Sequence, residues 1–336
     1  MTQALVIQTA YLGDVILTTP LLQALARTHG PVDVVTAPAA SPLLETHPAV
    51  NSVLPLNKRG PSWGLSNTVR LANKLKQNSY EIAYLPHRSI RSALLAVRAG
   101  IPRRVGFADS PAKLLYTETR KPRGAHELER LLSLSGETGA ARPTIALTAR
   151  DRRRAGDALT RSGIGKGESF VAVAPGSAWA TKRWPYYGRL VEELTASTKV
   201  VAIGDLRDRG MCGNPAVQGF ADLAGQLSIR EAAAVLATAM LAVTNDSAPM
   251  HLAQAVGTPV VAIFGPTSPK LGFAPTGLWD RVVQLSALSC RPCSHHGNRL
   301  CPLITHSCMR RLPTNDVLEA VRQVASASRK KARCAI

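Results

Sequence analysis

A chain of 336 residues exceeds one ordinary domain, and 45% hydrophobic residues with only 4% aromatics let it build two cores from Leu, Val, Ala and Ile. A net charge of +19 favours polyanionic partners: phosphorylated substrates, anionic lipid headgroups or nucleic acid. No apolar run reaches bilayer length, the N-terminus has no signal-peptide layout, and no zinc-finger, RNP or aromatic–basic pattern accompanies the charge, so a cytoplasmic protein that binds no nucleic acid is expected.

Ala4 to Thr9 reads as a short buried strand, and Val15 to Ala26 carries apolar residues at helical spacing. Gly13 and Asp14 therefore sit on the first strand-to-helix turn. Asp14 there either caps the helix or presents a base. Val32 to Thr36 and Ile82 to Leu85 are further strands, and Asn57 to Leu65 reads as a loop. His87-Arg88-Ser89 follows the carboxyl end of the strand ending at Leu85. Ser92 to Ala99 is a helix stopped by Gly100 and Pro102, Arg103 to Phe107 a strand, and Lys113 to Arg123 basic and irregular. Arg150 to Arg161 is a polar helix running into Gly163 and Gly165, a linker that places the domains at 1–160 and 161–336.

Phe170 to Ala174 opens the second domain and leads into Pro175-Gly176-Ser177 and then Lys182-Arg183-Trp184-Pro185. Val200 to Ile203 ends at Gly204-Asp205, and Ile229 to Ala239 is a helix. Leu241 to Phe264 reads as one βαβ unit. Asn245-Asp246-Ser247 supplies N-cap side chains, Pro249 falls in the first turn, and Gly257 with Pro259 stops the helix. The N-terminus of that helix is either an anion site or an ordinary capped end. Residues 286–313 show no periodicity and hold Cys290, Cys293, Cys301 and Cys308. Their C-x2-C-x7-C-x6-C spacing is either a structural zinc candidate or a set of free thiols. Thr314 to Ser326 is a last helix, followed by a basic tail, Arg329 to Arg333, expected to fray. No G-x-G-x-x-G follows a strand and no Walker P-loop is present, which argues against a dinucleotide oxidoreductase and a P-loop NTPase.

Three stretches in order resemble glycosyltransferase family 9, the bacterial lipopolysaccharide heptosyltransferases. Leu12 to Pro20 (LGDVILTTP) is similar to the family's N-terminal signature. Ala174-Pro175-Gly176-Ser177, continuing to Lys182-Arg183-Trp184-Pro185, is similar to its donor-side loop. Thr244 to Ser247, Met250-His251 and Gly265 to Pro269 resemble its diphosphate-binding segment. The likeness implies an α/β protein of the GT-B type, with two Rossmann-like domains whose parallel sheets face each other across a cleft. It implies inverting transfer of heptose from ADP-L-glycero-D-manno-heptose, bound by the C-terminal domain, to heptosyl-Kdo2-lipid A, bound by the N-terminal one. It also implies no cofactor and no Asp-x-Asp-bound metal, and the sequence contains no Asp-x-Asp. Ala178-Trp179-Ala180 and Ala248-Pro249 depart from the family, which has Gly and small residues at these places. Another sugar-nucleotide GT-B enzyme, including an epimerase of the UDP-N-acetylglucosamine kind, and a non-catalytic nucleotide or nucleic-acid binder are the alternatives.

The resemblance implies Asp14 as the base that takes the acceptor's proton, with Gly13, His87 and Arg88 on the acceptor side. It sets Lys182 at the donor diphosphate with Ser177, Thr181, Asn245 and Ser247. Three assignments stay double. Asp246 orients the sugar or caps the helix, His251 reaches the diphosphate or packs, and Gly204-Asp205 meets the ribose or forms a surface turn. The positive surplus would hold the protein peripherally at the anionic inner face of the inner membrane, where a phosphorylated lipid acceptor lies.

Overall fold

A computed structural model of the chain describes residues 3–57 and 65–334. Most of the expected loop at 57–65 lies outside the described residues. The chain divides into two compact units, Met1–Ala146 and Leu147–Ile336.

The first unit runs β1 (Ala4–Gln8), α1 (Leu12–Leu17), α2 (Thr19–His29), β2 (Val32–Thr36), α3 (Ser41–Leu44), β3 (Val50–Pro55), α4 (Leu65–Gln77), β4 (Ile82–Leu85), α5 (Ile90–Arg98), β5 (Arg103–Phe107), β6 (Glu118–Arg120) and α6 (Glu127–Leu132). The second runs α7 (Ala149–Arg161), β7 (Phe170–Ala174), α8 (Tyr187–Thr195), β8 (Lys199–Ala202), β9 (Phe220–Asp222), α9 (Ile229–Thr238), β10 (Leu241–Asn245), α10 (Ala248–Ala255), β11 (Val260–Ile263), β12 (Arg281–Val283), α11 (Ser307–Arg310) and α12 (Thr314–Cys334). Each unit holds one six-stranded sheet, ordered β3-β2-β1-β4-β5-β6 and β12-β11-β10-β7-β8-β9, and every pairing is parallel. Renumbered within its unit, the second order is the first one again, the Rossmann order. The expected α/β architecture with two Rossmann-like domains is therefore present.

The central strands are wholly buried and carry β-branched or small apolar residues, as strands covered by helices on both faces must. The chain reverses direction of winding between β1 and β4, and again between β7 and β10. In an open parallel sheet the crevice at such a switch, outside the carboxyl ends of the strands, is where ligands bind.

Three elements depart from the expected layout. The helix after β1 is broken at Thr18, because Pro20 has no N–H to give to the Ile16 carbonyl. The Thr19 hydroxyl donates to that carbonyl instead, at 2.8 Å, and the Thr18 hydroxyl donates to the Asp14 carbonyl at 2.7 Å. The polar helix expected to close the first domain belongs to the second unit as α7, so the boundary falls before it. Its Asp151 pairs with Arg230 of α9 at 2.5 Å, both nearly buried, and Arg230 and the Thr148 cap together hold the Asp151 carboxyl far below the usual range. Finally, α12 continues as helix through residues 329–333, which were expected to fray.

Candidate active site

The loop after β7 and the start of α10 meet because β7 and β10 are neighbours, with Ala174 opposite Thr244. Asn245 makes the joint. It is fully buried, its amide donates to the Pro175 carbonyl at 2.7 Å, and its oxygen accepts from the Trp184 N–H at 3.2 Å. Trp184 in turn drives the loop into the core. Its ring is buried edge-on against Tyr187, and its indole N–H donates to the Leu312 carbonyl at 3.0 Å. Arg183 closes the loop on itself through two bonds to the Ser177 carbonyl, at 2.8 and 3.0 Å.

Between these anchors Lys182 points at Asp246. Nζ lies 2.7 Å from Oδ2, with the two side chains 12% and 7% exposed. Thr267, in the loop after β11, donates to the same carboxylate oxygen at 2.6 Å. The Asn-Asp-Ser triplet was expected to cap α10, and none of its side chains does. Asn245 holds the loop, Asp246 holds Lys182, and the Ser247 hydroxyl turns back to the Gly176 carbonyl at 3.2 Å. The first-turn N–H groups of α10 thus end next to a fixed ammonium without a side-chain cap of their own. That combination suits an anion.

The segment 286–313 lacks periodicity because most of it is an irregular strap that ends in the single turn of α11. Arg291 donates to the carbonyls of Gly265 and Leu285, to Thr267 O at 2.8 Å and to Gln284 Oε1 at 2.8 Å, which fixes the loop that carries Thr267. Asn298 and Thr181 exchange bonds of 2.8 Å, and His306 Nε2 donates to the Thr181 carbonyl at 2.7 Å. Burial and the nearby Lys182 ammonium hold the His296 imidazole below its ordinary value, so it stays neutral at pH 7. Gly297, at φ +97°, touches the stem of Lys182: a Cβ there would lie 2.8 Å from Trp179 Cβ and 3.1 Å from Lys182 Cγ. Gly297→Ala is accordingly expected to displace Lys182, at a backbone cost of about 1–3 kcal/mol. The check is ADP affinity by calorimetry, which should fall at least about fivefold, with the melting temperature falling by about 2–4 °C per kcal/mol of that strain.

Gly204 and Asp205 form a capped turn. Asp205 accepts from the Arg207 N–H at 2.8 Å and pairs with the Arg207 guanidinium at 2.6 Å. The group that sets the local backbone is Asp208, which sequence reasoning missed. A Cβ on Gly176 would sit 2.2 Å, and one on Gly204 2.6 Å, from Asp208 Oδ2. Burial raises the pKa of that carboxyl. His251 is buried within α10, 5% exposed.

In the first unit, the switch between β1 and β4 gathers the other candidates. Asp14 is the third residue of α1, and its Oδ2 accepts from the Tyr11 N–H at 3.1 Å. Gly13 precedes it. His87 Nδ1 lies 3.4 Å from the Thr9 hydroxyl at the end of β1. Arg88 is held rather than loose: it stacks 4.5 Å over the Phe107 ring, pairs with Asp109 at 2.9 Å and reaches Glu127 at 3.8 Å. Glu127 is the unforeseen member. Burial pushes its carboxyl above the usual range against the pull of Arg88 and Arg130, and Asp14 adds to the rise. It follows the irregular stretch before α6, where no periodicity marks it.

Residues 68–304 match glycosyltransferase family 9 (heptosyltransferase), more than half of the chain. The chain belongs to glycosyltransferase family 9. Lipopolysaccharide heptosyltransferase 2 of Escherichia coli strain K12 is 28% identical to this family-9 chain over 306 residues, which cover 84% of it and 87% of that protein. The structure of E. coli ADP-heptose lps heptosyltransferase II superposes with a TM-score of 0.79 at 24% identity, covering 98% of this chain and 100% of that one. A family-9 glycosyltransferase from Veillonella parvula superposes with a TM-score of 0.85 at 21% identity, covering 97% and 98%. The expected GT-B fold and glycosyltransferase class follow.

Among the described residues no group of three or more His, Cys, Asp or Glu side chains is arranged to hold an ion, and Cys290, Cys293, Cys301 and Cys308 are free thiols. Their environments differ: Cys308 packs in the core, where burial raises its thiol to about 11, and Cys293 is exposed. The four are near enough to act on one another: Cys290, Cys293 and Cys301 add to the rise at Cys308, which the Arg291 guanidinium opposes.

Proposed function

We propose that this enzyme transfers heptose from ADP-L-glycero-D-manno-heptose to heptosyl-Kdo2-lipid A during assembly of the lipopolysaccharide inner core, working peripherally at the inner face of the inner membrane. The observation that carries the reading is a nearly buried lysine, Lys182, fixed by Asp246 beside the uncapped start of α10, in a chain that resembles lipopolysaccharide heptosyltransferase 2 over most of its length. An acceptor hydroxyl oxygen attacks the anomeric carbon of the donor, and the bond from that carbon to the β-phosphate oxygen breaks with its electron pair leaving on ADP. Asp14 takes the hydroxyl proton. Lys182 and the α10 N–H groups stabilise the charge that grows on the diphosphate, with Ser177 beside it and with Thr181 and Ser247 holding the loops that carry them. Asn245 acts through the loop it clamps, and Asp246 acts through Lys182. His87 and Arg88 meet anionic groups of the acceptor, and the positive surplus holds the protein at the lipid surface.

Purified protein given the authentic donor and acceptor should release ADP and extend the acceptor by one heptose, read by coupled ADP detection and mass spectrometry. EDTA should leave most of that activity, since no Asp-x-Asp is present to carry a catalytic metal. Absence of ADP release from a folded sample would sink the proposal.

A further inference from the structure

On α5 the exposed residues occupy one continuous arc. At 100° per residue, Val97, Ile90 and Leu94 lie side by side, and Arg98 and Arg91 continue the same arc. The opposite face, with Ala93, Leu95 and Ala96, is buried in the core of the first unit. Ile90 is 50%, Leu94 49% and Val97 40% exposed, an apolar stripe that the described residues leave uncovered. The turn at residues 113–115 packs on α5 and adds Leu114, 91% exposed. Helix α4 packs on α5 as well. These three pieces of chain carry Arg70, Lys74, Lys76, Arg91, Arg98 and Lys113 at exposed positions and contain no Asp or Glu.

We propose that this face of α5, with Leu114, is the surface that lies on an anionic lipid bilayer. Four exposed apolar side chains bordered by cations match the acyl–headgroup boundary, where apolar groups sink and Lys and Arg stay with the phosphates. Charge alone gives binding that salt abolishes. The stripe adds a component that salt does not screen. The position fits a lipid-anchored acceptor. Helix α5 begins directly after His87-Arg88-Ser89, and its Ser92 hydroxyl lies 3.1 Å from that of Thr9, so the helix is fixed to the switch point that holds Asp14. The surface rests on the lipid-acceptor reading above, and its test separates the two.

The test is flotation of the full chain with vesicles of phosphatidylglycerol and phosphatidylcholine, and with phosphatidylcholine alone, in low and high salt. The wild type should bind the anionic vesicles and keep a measurable fraction bound at high salt. The variant Leu94→Glu/Leu114→Glu should bind them roughly tenfold or more weakly at both salt levels, the scale for losing even one buried leucine side chain. Arg91→Glu/Arg98→Glu should lose binding mainly at low salt. All positions are exposed, so melting temperatures should stay near wild type. The leucine variant should also keep transfer to a water-soluble, deacylated acceptor and lose transfer to acceptor embedded in vesicles. Wild-type binding by the leucine variant overturns the proposal. So does a change in its sedimenting mass, which would make the stripe a contact between copies. Wild-type protein that binds vesicles but glycosylates neither acceptor overturns the functional reading and leaves the surface standing.

Discussion

Asp14→Asn is expected to lower kcat by about a hundredfold or more, the scale of a lost general base, with donor affinity and melting temperature close to wild type. The structure makes this substitution informative. The Asp14 carboxylate also accepts the Tyr11 N–H at 3.1 Å, the reciprocal bond of the cap on α1. Asparagine keeps a side-chain oxygen for that bond, so the cap survives and only the proton acceptor is removed. Asp14→Ala removes both and should cost a further 0.5–2 kcal/mol or so of stability. The neighbouring Glu127 sharpens the reading. Its carboxyl is raised by burial and by Asp14, so neutralising Asp14 should let Glu127 ionise at a lower pH. The measurement is a pH–rate profile of both proteins with a soluble acceptor. If Asp14→Asn turns over within about threefold of wild type across the profile, Asp14 is a cap and the base lies elsewhere.

Much of the fold could be read from the sequence because its central strands are short, wholly apolar and followed by small-residue turns. Runs such as Phe170–Ala174 and Val260–Ile263 have one interpretation in a chain this rich in Val and Ala. The strands that escaped notice sit at the sheet edges. β6, β9 and β12 are three residues each, and β3 is half-exposed or exposed at every position but Leu54, so none carries an apolar signal above its surroundings. The break at Thr18 was legible in principle, since Pro20 must leave the Ile16 carbonyl without its helical donor. At the site, the motif letters located Lys182 and Asp246 but not that they pair, because the contact spans two loops brought together by the β7–β10 register. Asn245 and Thr181 have ligand-like side chains, yet both are committed to holding loops. Arg291 and Asp208 matter through carbonyls and glycines distant in sequence, which no local pattern records.

Lys182→Ala is expected to weaken ADP binding and to cost about 2–4 kcal/mol of transition-state stabilisation, because the leaving diphosphate gains charge as the glycosidic bond breaks. The single variant overstates the contact. Asp246 is 7% exposed and paired with Lys182 at 2.7 Å, so removing the ammonium leaves a buried carboxylate facing the anion. Asp246→Asn supplies the missing corner of a cycle, keeping an acceptor for the Thr267 hydroxyl while removing the charge. Two accounts then separate. If Lys182 only neutralises Asp246, the double variant should return to the kcat/KM of Asp246→Asn alone, since no charge is left to neutralise. If Lys182 touches the diphosphate, the double variant should fall a further hundredfold or so below Asp246→Asn, equal to roughly 2.7 kcal/mol. Lys182→Arg should recover only part of the loss. The Lys182 stem runs against Gly297 and Trp179, where even a Cβ on Gly297 would crowd Lys182 Cγ at 3.1 Å, and the guanidinium fork is larger than an ammonium. Agreement of Asp246→Asn and the double variant within about threefold would remove Lys182 from the diphosphate and leave the α10 N–H groups as its principal partner.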